Sequence, residues 1–494
     1  WTLREAYVPG QSELTIGHLW VWTERTIWNP VGGFGDIYSA DIWQNVHDPA
    51  LWSDPFTGLP IPFRATYDVE TAGPNGKLTM PNDAFRWDAS TGGWKSVTAG
   101  SQATSKVTFD YTKFVGSNWH HGQSITMADI IYNLYQTFDL TYNEDKSKIE
   151  FATATVTKPY LDTFKGFKIV DDKTLEVYLD YWHFVPEHIA EYAHPISISM
   201  PWEVLAAMDN LVFDKRKAAY SDTAAEKFQV PWISLVMEND ARLVRNVLLE
   251  FDRNNFLPES VFSVDGQNLV TQSEASQRYL AASSWFDDYK ILVISNGPYM
   301  LTKFEPQSQY AELNAFRDST YPFKPGDWYR GAAQLVEITA VEGDPIQVGE
   351  EAHYEISVTG PGEKSLKYIL FDPVYGKVLA TGDGEIETPT ELHIHIPSSI
   401  TSNMLTGSPY RLYLAAFSDE ISYVTERVEN INVGLTTTTT TSTPDQTVTT
   451  SQTTTTSEEG EGISNTLLIA ATVILLVVIV IPAVLLRKRG TKGN

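Results

Sequence analysis

One apolar segment near the C-terminus constrains this chain more than any other feature. Residues 467–486 are twenty residues without a charge. A helix that rises about 1.5 Å per residue would cross the ~30 Å apolar core of a bilayer with them. Four basic residues follow directly: Arg487, Lys488, Arg489 and Lys492. Because positive residues stay on the cytoplasmic side, we expect a single-pass cell-membrane protein with a transmembrane helix at 463–486, a cytoplasmic tail at 487–494 and the N-terminal ectodomain outside.

The segment before this apolar run is dominated by threonine. Fourteen of the 21 residues at 436–456 are Thr, and they have no apolar periodicity from which a core could form. Thr-rich tracts beside a membrane helix are typical of extended, O-glycosylated spacers, and plain disorder without sugars is the alternative. We expect a disordered stalk over residues 435–462.

Charge balance and the lack of cysteine exclude several classes of protein. The chain has 36 Lys and Arg against 62 Asp and Glu, a net charge of −26, and no Cys. Nucleic-acid partners are not expected, because phosphate recognition needs clustered basic residues. Disulfide scaffolds, thiolate metal sites and Cys nucleophiles all need cysteine. Four of the basic residues lie in the predicted tail. The predicted ectodomain, stalk and membrane helix therefore have 32 Lys and Arg against 62 Asp and Glu, a net charge of −30.

Residues 334–434 show short alternating apolar runs separated by turn residues. About seven such runs in about 100 residues predict an immunoglobulin-like or fibronectin-like β-sandwich, which we expect to act as a spacer. His393 and His395 are two positions apart and therefore lie on one face of a strand. They could bind a metal ion, but no third ligand is evident, so surface or cross-strand packing is the favoured interpretation.

Motifs for common enzyme chemistry are missing from the sequence. We find no Gly-x-Ser-x-Gly, His-Glu-x-x-His, P-loop or Gly-x-Gly-x-x-Gly in the context that its chemistry requires. Four titratable residues cluster within eight positions: Glu187, His188, Glu191 and His194. On a helix His188 and Glu191 would share a face, which suits a metal ion but is more typical of solvated surface charges. We expect no enzyme, no catalytic residue, no metal site and no cofactor.

All 14 Trp residues lie within residues 1–330, the region that carries the functional prediction. Its first informative element is a predicted strand at 107–111, followed by a tight turn at Gly122. Thr126 and Asp129 then have the spacing of a capping box, so we expect a helix to begin here.

Two further elements follow in the same region. Residues 167–179 predict a hairpin around an Asp-Asp-Lys turn, because apolar residues alternate after the turn. The motif Ser295-Asn296-Gly297-Pro298-Tyr299 predicts a turn that leads into a second hairpin.

In this order the elements resemble the extracellular solute-binding proteins of the dipeptide/oligopeptide class, which serve ABC importers. The family's "F-H-D-G" and "T-A-x-D-V" motifs are matched by Trp119-His120-His121-Gly122 and Thr126-Met127-Ala128-Asp129-Ile130, with His121 in place of the family's Asp. Its "V-D-D-x-T-V" hairpin and "G-T-G-P-Y" turn are matched by residues 170–179 and 295–299. Residues 28–30 and 42–49 look like the family's opening strand and first helix. The stalked, C-terminally anchored layout is similar to archaeal members.

The resemblance implies an α/β fold over residues 1–330, a periplasmic-binding-protein-like lobe of class II, oligopeptide type. Family members trap the ligand between two lobes, and a second lobe is not evident here. It is absent, lies upstream in a longer precursor, or is supplied by another chain. His120 and His121 are interpreted as a structural turn rather than as metal or ligand contacts.

The expected function is capture of oligopeptides, sugars or oligosaccharides for an ABC permease in the same membrane. Aromatic faces stack on sugars and apolar side chains, and five aromatic residues in or beside the family-like elements are the candidate ligand-binding residues: Trp28, Trp43, Trp119, Trp182 and Tyr299. Two alternatives stay open. One is a structural, surface-layer or adhesive protein that reuses the binding fold; the weaker one is a surface glycosidase, whose chemistry needs only two placed carboxylates.

Overall fold

The computed structural model describes residues 13–17, 26–194, 199–324, 326–327, 331, 335–421 and 423–434. It is a mixed α/β structure whose sheets are antiparallel and mostly small. The predicted stalk (435–462), membrane helix (463–486) and tail (487–494) lie outside the described residues. Among the helices that are described, none is long and apolar enough to cross a membrane.

The helices of the described part lie mainly in the first 300 residues. They are α1 (Ile37–Val46), α2 (Met127–Tyr142), α3 (Glu144–Ile149), α4 (Phe151–Leu161), α5 (Pro186–Ala193), α6 (Trp202–Asp209), α7 (Asp222–Phe228), α8 (Glu238–Arg253), α9 (Glu259–Phe262), α10 (Gln272–Tyr289) and α11 (Ser398–Thr401). A short π-helix, Asn210–Asp214, follows α6. The predicted start of α2 is confirmed, because the Asp129 carboxylate accepts a hydrogen bond from the Thr126 backbone N–H at 2.9 Å.

The strands of the N-terminal region are short. They are β1 (Trp28–Asn29), β2 (Gly33–Phe34), β3 (Leu51–Ser53), β4 (Pro60–Pro62), β5 (Thr66–Thr71), β6 (Leu78–Thr79), β7 (Phe85–Asp88), β8 (Gly93–Ser96), β9 (Gln102–Ala103), β10 (Ser105–Asp110), β11 (Phe164–Ile169), β12 (Thr174–Leu179), β13 (Ser263–Val264), β14 (Gln267–Asn268), β15 (Tyr299–Glu305) and β16 (Tyr310–Ala315).

A six-stranded antiparallel sheet, ordered β5-β10-β12-β11-β7-β8, is the main sheet of this region. The predicted strand at 107–111 is β10, and the predicted hairpin at 167–179 is the β11–β12 pair, so both predictions are confirmed. The predicted hairpin after Pro298 is also confirmed as β15–β16. The small sheets pair β1 with β2, β3 with β4, β6 with β9, and β13 with β14.

The buried apolar side chains between Trp28 and Leu301 form one main core. Helix α2 contributes Ile130, Ile131 and Leu134, which are all completely buried. Their spacing puts them on one side of the helix, and they pack in the same core as β10 and β12.

Residues 335–434 form two four-stranded antiparallel sheets around a second core. Their strands are β17 (Glu337–Gly343), β18 (Ala352–Thr359), β19 (Lys364–Asp372), β20 (Lys377–Asp383), β21 (Glu385–Thr388), β22 (Glu391–Ile396), β23 (Pro409–Ser418) and β24 (Thr425–Asn432). The strand orders are β17-β18-β22-β21 and β20-β19-β23-β24. In β18 and β22 buried apolar residues alternate with polar residues on the opposite face, which is the period of a half-buried strand.

Candidate functional site

Two of the family-like elements, far apart in sequence, meet at His120. Its Nε2 donates a hydrogen bond to the Gly297 carbonyl at 3.0 Å, and its Nδ1 accepts one from the Ser295 N–H at 3.3 Å. Burial lowers the pKa of His120 to about 3. The ring is therefore neutral with its proton on Nε2, and it holds the 295–299 turn against the turn before α2.

The same 295–299 turn is also attached to the end of α1. The Gly297 N–H donates to the Val46 carbonyl at 2.8 Å, and a Cβ on Gly297 would lie 2.5 Å from the carbon and oxygen of that carbonyl. Glycine alone can approach so closely. The Asn296 side chain accepts from the Asp48 N–H at 3.0 Å and donates to the Asp48 carbonyl at 3.1 Å. These hydrogen bonds attach the turn directly to the end of the first helix.

A buried ion pair between Arg64 and Asp48 completes this junction. Arg64 Nε lies 3.0 Å from Asp48 Oδ2, and both side chains are fully buried. The guanidinium also donates to the carbonyls of Lys113 and Asn296 and to the Ser117 hydroxyl. Because these hydrogen bonds compensate the buried charges, the Arg64–Asp48 pair acts as a framework for the junction, closed to solvent.

A second buried charge network lies at the start of α2. His121 Nε2 pairs with Glu203 of α6 at 2.7 Å, and Arg278 of α10 contacts both Glu203 at 2.7 Å and Asp129 at 2.5 Å. Burial by itself would raise the pKa of Glu203, but the Arg278 charge and the hydrogen bond from His121 lower it to about 2. The network connects α2, α6 and α10 next to His121, the residue that replaces the Asp of the resembled motif.

Two of the five candidate aromatic residues are core residues in this structure. Trp28 is 1% exposed, and its ring packs edge-on against Trp43 with centroids 6.5 Å apart. Trp119 is fully buried, and its indole N–H donates to Asp129 at 3.3 Å. Neither side chain presents surface to a ligand in the described conformation.

The other three candidates reach the surface but do not meet in one place. Trp43 is partly buried and stacks on His47, with centroids 5.4 Å apart. Trp182 is 38% exposed between β12 and α5. Tyr299 begins β15, where it pairs with Ala315. The structure brings Trp28 and Trp43 together, and it places the remaining members of the set at separate positions.

The titratable cluster at residues 187–194 lies on and just after α5. His188 and Glu191 share a face as predicted, with Nδ1 and Oε2 3.2 Å apart. His194 is partly buried, and desolvation lowers its pKa to about 4. Its ring packs edge-on against Phe109, 5.3 Å between centroids. The His188–Glu191 pair at the surface and the ring of His194 packed on Phe109 therefore serve separate structural roles.

A groove of about 700 Å³ lies beside the main sheet. It is bounded by β7, β8 and β11 of the main sheet, by the end of α2, and by the loop after α4. Tyr142 is its partly exposed aromatic residue, and four almost fully buried rings lie behind its surface: Trp87, Phe138, Phe164 and Phe167. The volume lies within the ~300–1,000 Å³ range of small-molecule sites, and none of the five candidate aromatic residues lines it.

Most charged groups around this groove are paired with one another. Lys165 Nζ lies 3.1 Å from Asp180 Oδ2, and the Tyr142 hydroxyl donates to Asp162 at 2.7 Å. Lys95 pairs with Asp88 at the opposite rim. Arg86 is exposed and forms no hydrogen bond or ion pair with another described residue. The groove therefore combines one partly exposed aromatic ring, that of Tyr142, with one guanidinium open to an anionic group.

Sequence reasoning missed both the groove and the partners of His121. Arg86 alternates with the buried residues Phe85 and Trp87 along β7, and this alternation is a weak signal for a solvent-facing arginine. Glu203 and Arg278 belong to no motif, and only the packing of α6 and α10 against α2 brings them to His121.

Comparisons with known proteins leave the family open. No family model matches the chain, and no curated protein matches it. Among solved structures it is similar to an engineered protein at 14% identity and TM-score 0.17, covering 21% of each chain. It is also similar to β-glucuronidase from Ruminococcus gnavus in complex with C6-substituted uronic isofagomine, at 17% identity and TM-score 0.15, covering 20% of this chain and 16% of that one. The chain thus spans about a fifth or less of the length of these structures.

Proposed function

We propose that this chain is the membrane-anchored, extracellular solute-binding component of an ABC importer, which captures oligopeptides, sugars or oligosaccharides for a permease in the same membrane. One observation carries the proposal. The motif residues that resemble the family converge in space: His120 and Gly297 contact each other, and Asn296 is bound to the end of the first helix. Such contacts between the motifs are what a shared structural framework would require.

The proposed solute site is the groove beside Arg86. Its guanidinium would pair with an anionic group of the solute, such as a peptide carboxylate or a uronic acid. The ring of Tyr142 is partly exposed and lines the same groove, where it would stack on an apolar side chain or a sugar face. Selectivity would come from these few polar contacts within a largely preformed surface.

We also propose that residues 334–434 are an immunoglobulin-like sandwich that holds the binding region away from the membrane. The two strand orders agree with the A-B-E-D and C′-C-F-G sheets of that fold. Tyr410 supports this, because it is buried at the start of β23 and its hydroxyl accepts a hydrogen bond from the Leu405 N–H at 2.9 Å. A tyrosine that bonds back to the preceding turn is a feature of such domains.

Calorimetry on the full chain in detergent tests the proposal. A panel of acidic and neutral oligosaccharides and short peptides should contain a solute that binds, and Arg86→Gln should weaken that binding at least about tenfold. Arg242→Gln is the control, since Arg242 is an exposed arginine that pairs with Glu238 on α8. Equal affinity of the Arg86→Gln variant and the wild type would place the solute elsewhere. Failure of every solute would reject solute capture.

A structural, surface-layer or adhesive protein is the second candidate, and one observation favours it. The described apolar residues between Trp28 and Leu301 form one main core, whereas ligand trapping between lobes needs two bodies that close on each other. If this role is correct, sedimentation and electron microscopy of the chain in lipid vesicles would show ordered arrays of the protein or adhesion between vesicles. A monodisperse, ligand-binding chain would reject it.

A further inference from the structure

Three histidines meet on the solvent-facing side of the β17-β18-β22-β21 sheet. His393 and His395 are two positions apart on β22, and His353 stands directly opposite His395 on the neighbouring strand β18. The His353 and His395 rings stack with centroids 4.6 Å apart, and the His393 ring meets His353 edge-on at 4.7 Å. One nitrogen from each of the three rings lies within 4.8 Å of the others.

We propose that His353, His393 and His395 bind a divalent transition-metal ion, with Zn²⁺ as the best match. Imidazole nitrogens are preferred ligands of zinc, and three histidines with an open fourth position form a recurrent zinc arrangement. In a tetrahedral site with Zn–N bonds of about 2.0–2.1 Å, the ligand nitrogens lie about 3.3 Å apart. Binding would therefore require the imidazole rings to rotate so that their nitrogens, now within 4.8 Å of one another, approach that separation.

The strand register fixes the face of the sheet on which each histidine lies. The residues that alternate with the histidines are Tyr354, Ile394 and Ile396, which are all buried in the sandwich core. A shift of one residue would bury the histidines and expose the core. The sheet therefore holds the three histidine side chains side by side before any ion arrives.

Carboxylates beside the histidines also fit a metal site. Glu391 lies 3.1 Å from His393 Nε2, and Glu351 lies 3.4 Å from His395 Nδ1. Carboxylates that accept a hydrogen bond from a ligating imidazole orient its ring and strengthen it as a ligand. Glu355, opposite His393, also reaches within 4.8 Å of the His393 and Glu391 ligand atoms.

The charge of the sheet favours a cation. Its four strands carry six glutamates and no lysine or arginine. A metal ion at the histidines would therefore meet no repulsion from a cation within these strands. The ion would cross-link the neighbouring strands β18 and β22 of one sheet, in a chain that has no cysteine for a disulfide.

Titration of the full chain in detergent with ZnCl₂ alone, in a buffer that does not bind metal, tests the proposal. We expect one Zn²⁺ per chain. His353→Gln and His395→Gln should each weaken binding at least about tenfold, and Co²⁺ should give the visible absorption of a tetrahedral nitrogen site. His188→Gln is the matched control, because His188 is a surface histidine paired with a carboxylate outside the sandwich.

A second measurement separates loss of the site from loss of the fold. His353 and His395 are exposed, so the variants should keep the wild-type circular dichroism spectrum. Zn²⁺ should raise the thermal unfolding midpoint of the wild type but not of the His353→Gln/His395→Gln double variant. The proposal is overturned if Zn²⁺, Co²⁺, Ni²⁺ and Cu²⁺ all fail to bind, or if the folded double variant binds Zn²⁺ as the wild type does.

Discussion

Gly297 lets the turn before β15 lie against the end of α1. Its N–H bonds to the Val46 carbonyl at 2.8 Å, and the space where a Cβ would stand is filled by that carbonyl and by the His47 nitrogen. The identity of this residue is therefore set by contact between two backbones rather than by its own dihedral angles.

Replacing Gly297 by alanine should destabilise the protein. The new Cβ would lie 2.5 Å from the Val46 carbonyl, and relief of such overpacking costs about 1–3 kcal/mol. Denaturant unfolding measures the change. Gly93→Ala is the control, since no atom lies within 4 Å of its added Cβ, and it should change stability by less than about 0.5 kcal/mol. Equal effects of the two substitutions would contradict the tight approach at Gly297.

His120 should make stability depend on pH. Burial lowers the pKa of His120 to about 3, whereas in the unfolded chain an ordinary pKa of about 6.5 applies. Between these values the unfolded state binds more protons, so the stabilisation is complete above pH ~6.5 and is lost as pH falls towards 3, by at most about 1.4 kcal/mol per pH unit. His194, whose pKa burial lowers to about 4, acts in the same direction.

Unfolding free energies measured from pH 4 to 7.5 check this expectation. His120→Gln keeps an N–H donor for the Gly297 carbonyl but cannot titrate, so its slope should be shallower than that of the wild type. His188→Gln, which removes a partly exposed histidine of α5, is the control for the substitution itself. Parallel slopes for all three proteins would show that His120 is not kept neutral by burial.

At the scale of elements, α2, α6 and α10 are held together by charge as well as by apolar packing. Arg278 on α10 is shared by Asp129 on α2 and Glu203 on α6. All three side chains are at least nine-tenths buried, so each depends on the others for compensation.

Replacing Arg278 by methionine should therefore cost about 3–5 kcal/mol, because it leaves two buried carboxylates without their cation. Arg245→Met is the matched control: Arg245 pairs with Asp287 between α8 and α10, where the acid is half exposed, and its loss should cost less than about 1 kcal/mol. Chemical unfolding of both variants compares them directly. If Arg278→Met lowers the free energy of unfolding by no more than Arg245→Met does, the network does not stabilise the three helices.

At the scale of the whole molecule, the described chain contains two separate main cores. One gathers residues between Trp28 and Leu301, and the other gathers residues between Val336 and Val433. The predicted stalk and anchor follow the second core in the sequence, from residue 435 onward.

Removal of residues 463–494 should release the protein from membranes. The predicted anchor is the apolar run at 467–486, and a helix of that length holds a protein in a bilayer effectively irreversibly. Fractionation after a high-salt, alkaline wash should leave the full chain in the pellet and the shortened chain in the supernatant. A variant that lacks only the tail at 487–494 should stay in the pellet. Release of the full chain by the wash would contradict a membrane-spanning helix.

Much of the secondary structure could be read from the sequence, since it depends on local pattern. The strand at 107–111, the capped start of α2, the hairpin at 167–179 and the hairpin after the 295–299 turn follow from alternation, capping and turn residues, and all four are present. The candidate site was harder, because aromatic residues that fill a core and those that line a cleft have the same sequence signal. Trp28 and Trp119 lie in the core.

What the sequence determined by itself is local or compositional: charge, cysteine content, the periods of strands and helices, and an apolar run long enough to span a membrane. What only the tertiary structure decided is which distant residues meet. His353 reaches His395 because β18 and β22 are neighbours in a sheet although three strands separate them in the chain, and Arg278 reaches Asp129 because α10 packs near α2. Such pairings form because the apolar faces of whole strands and helices are buried together in one core. A short segment of sequence does not specify which other segment its apolar face will pack against.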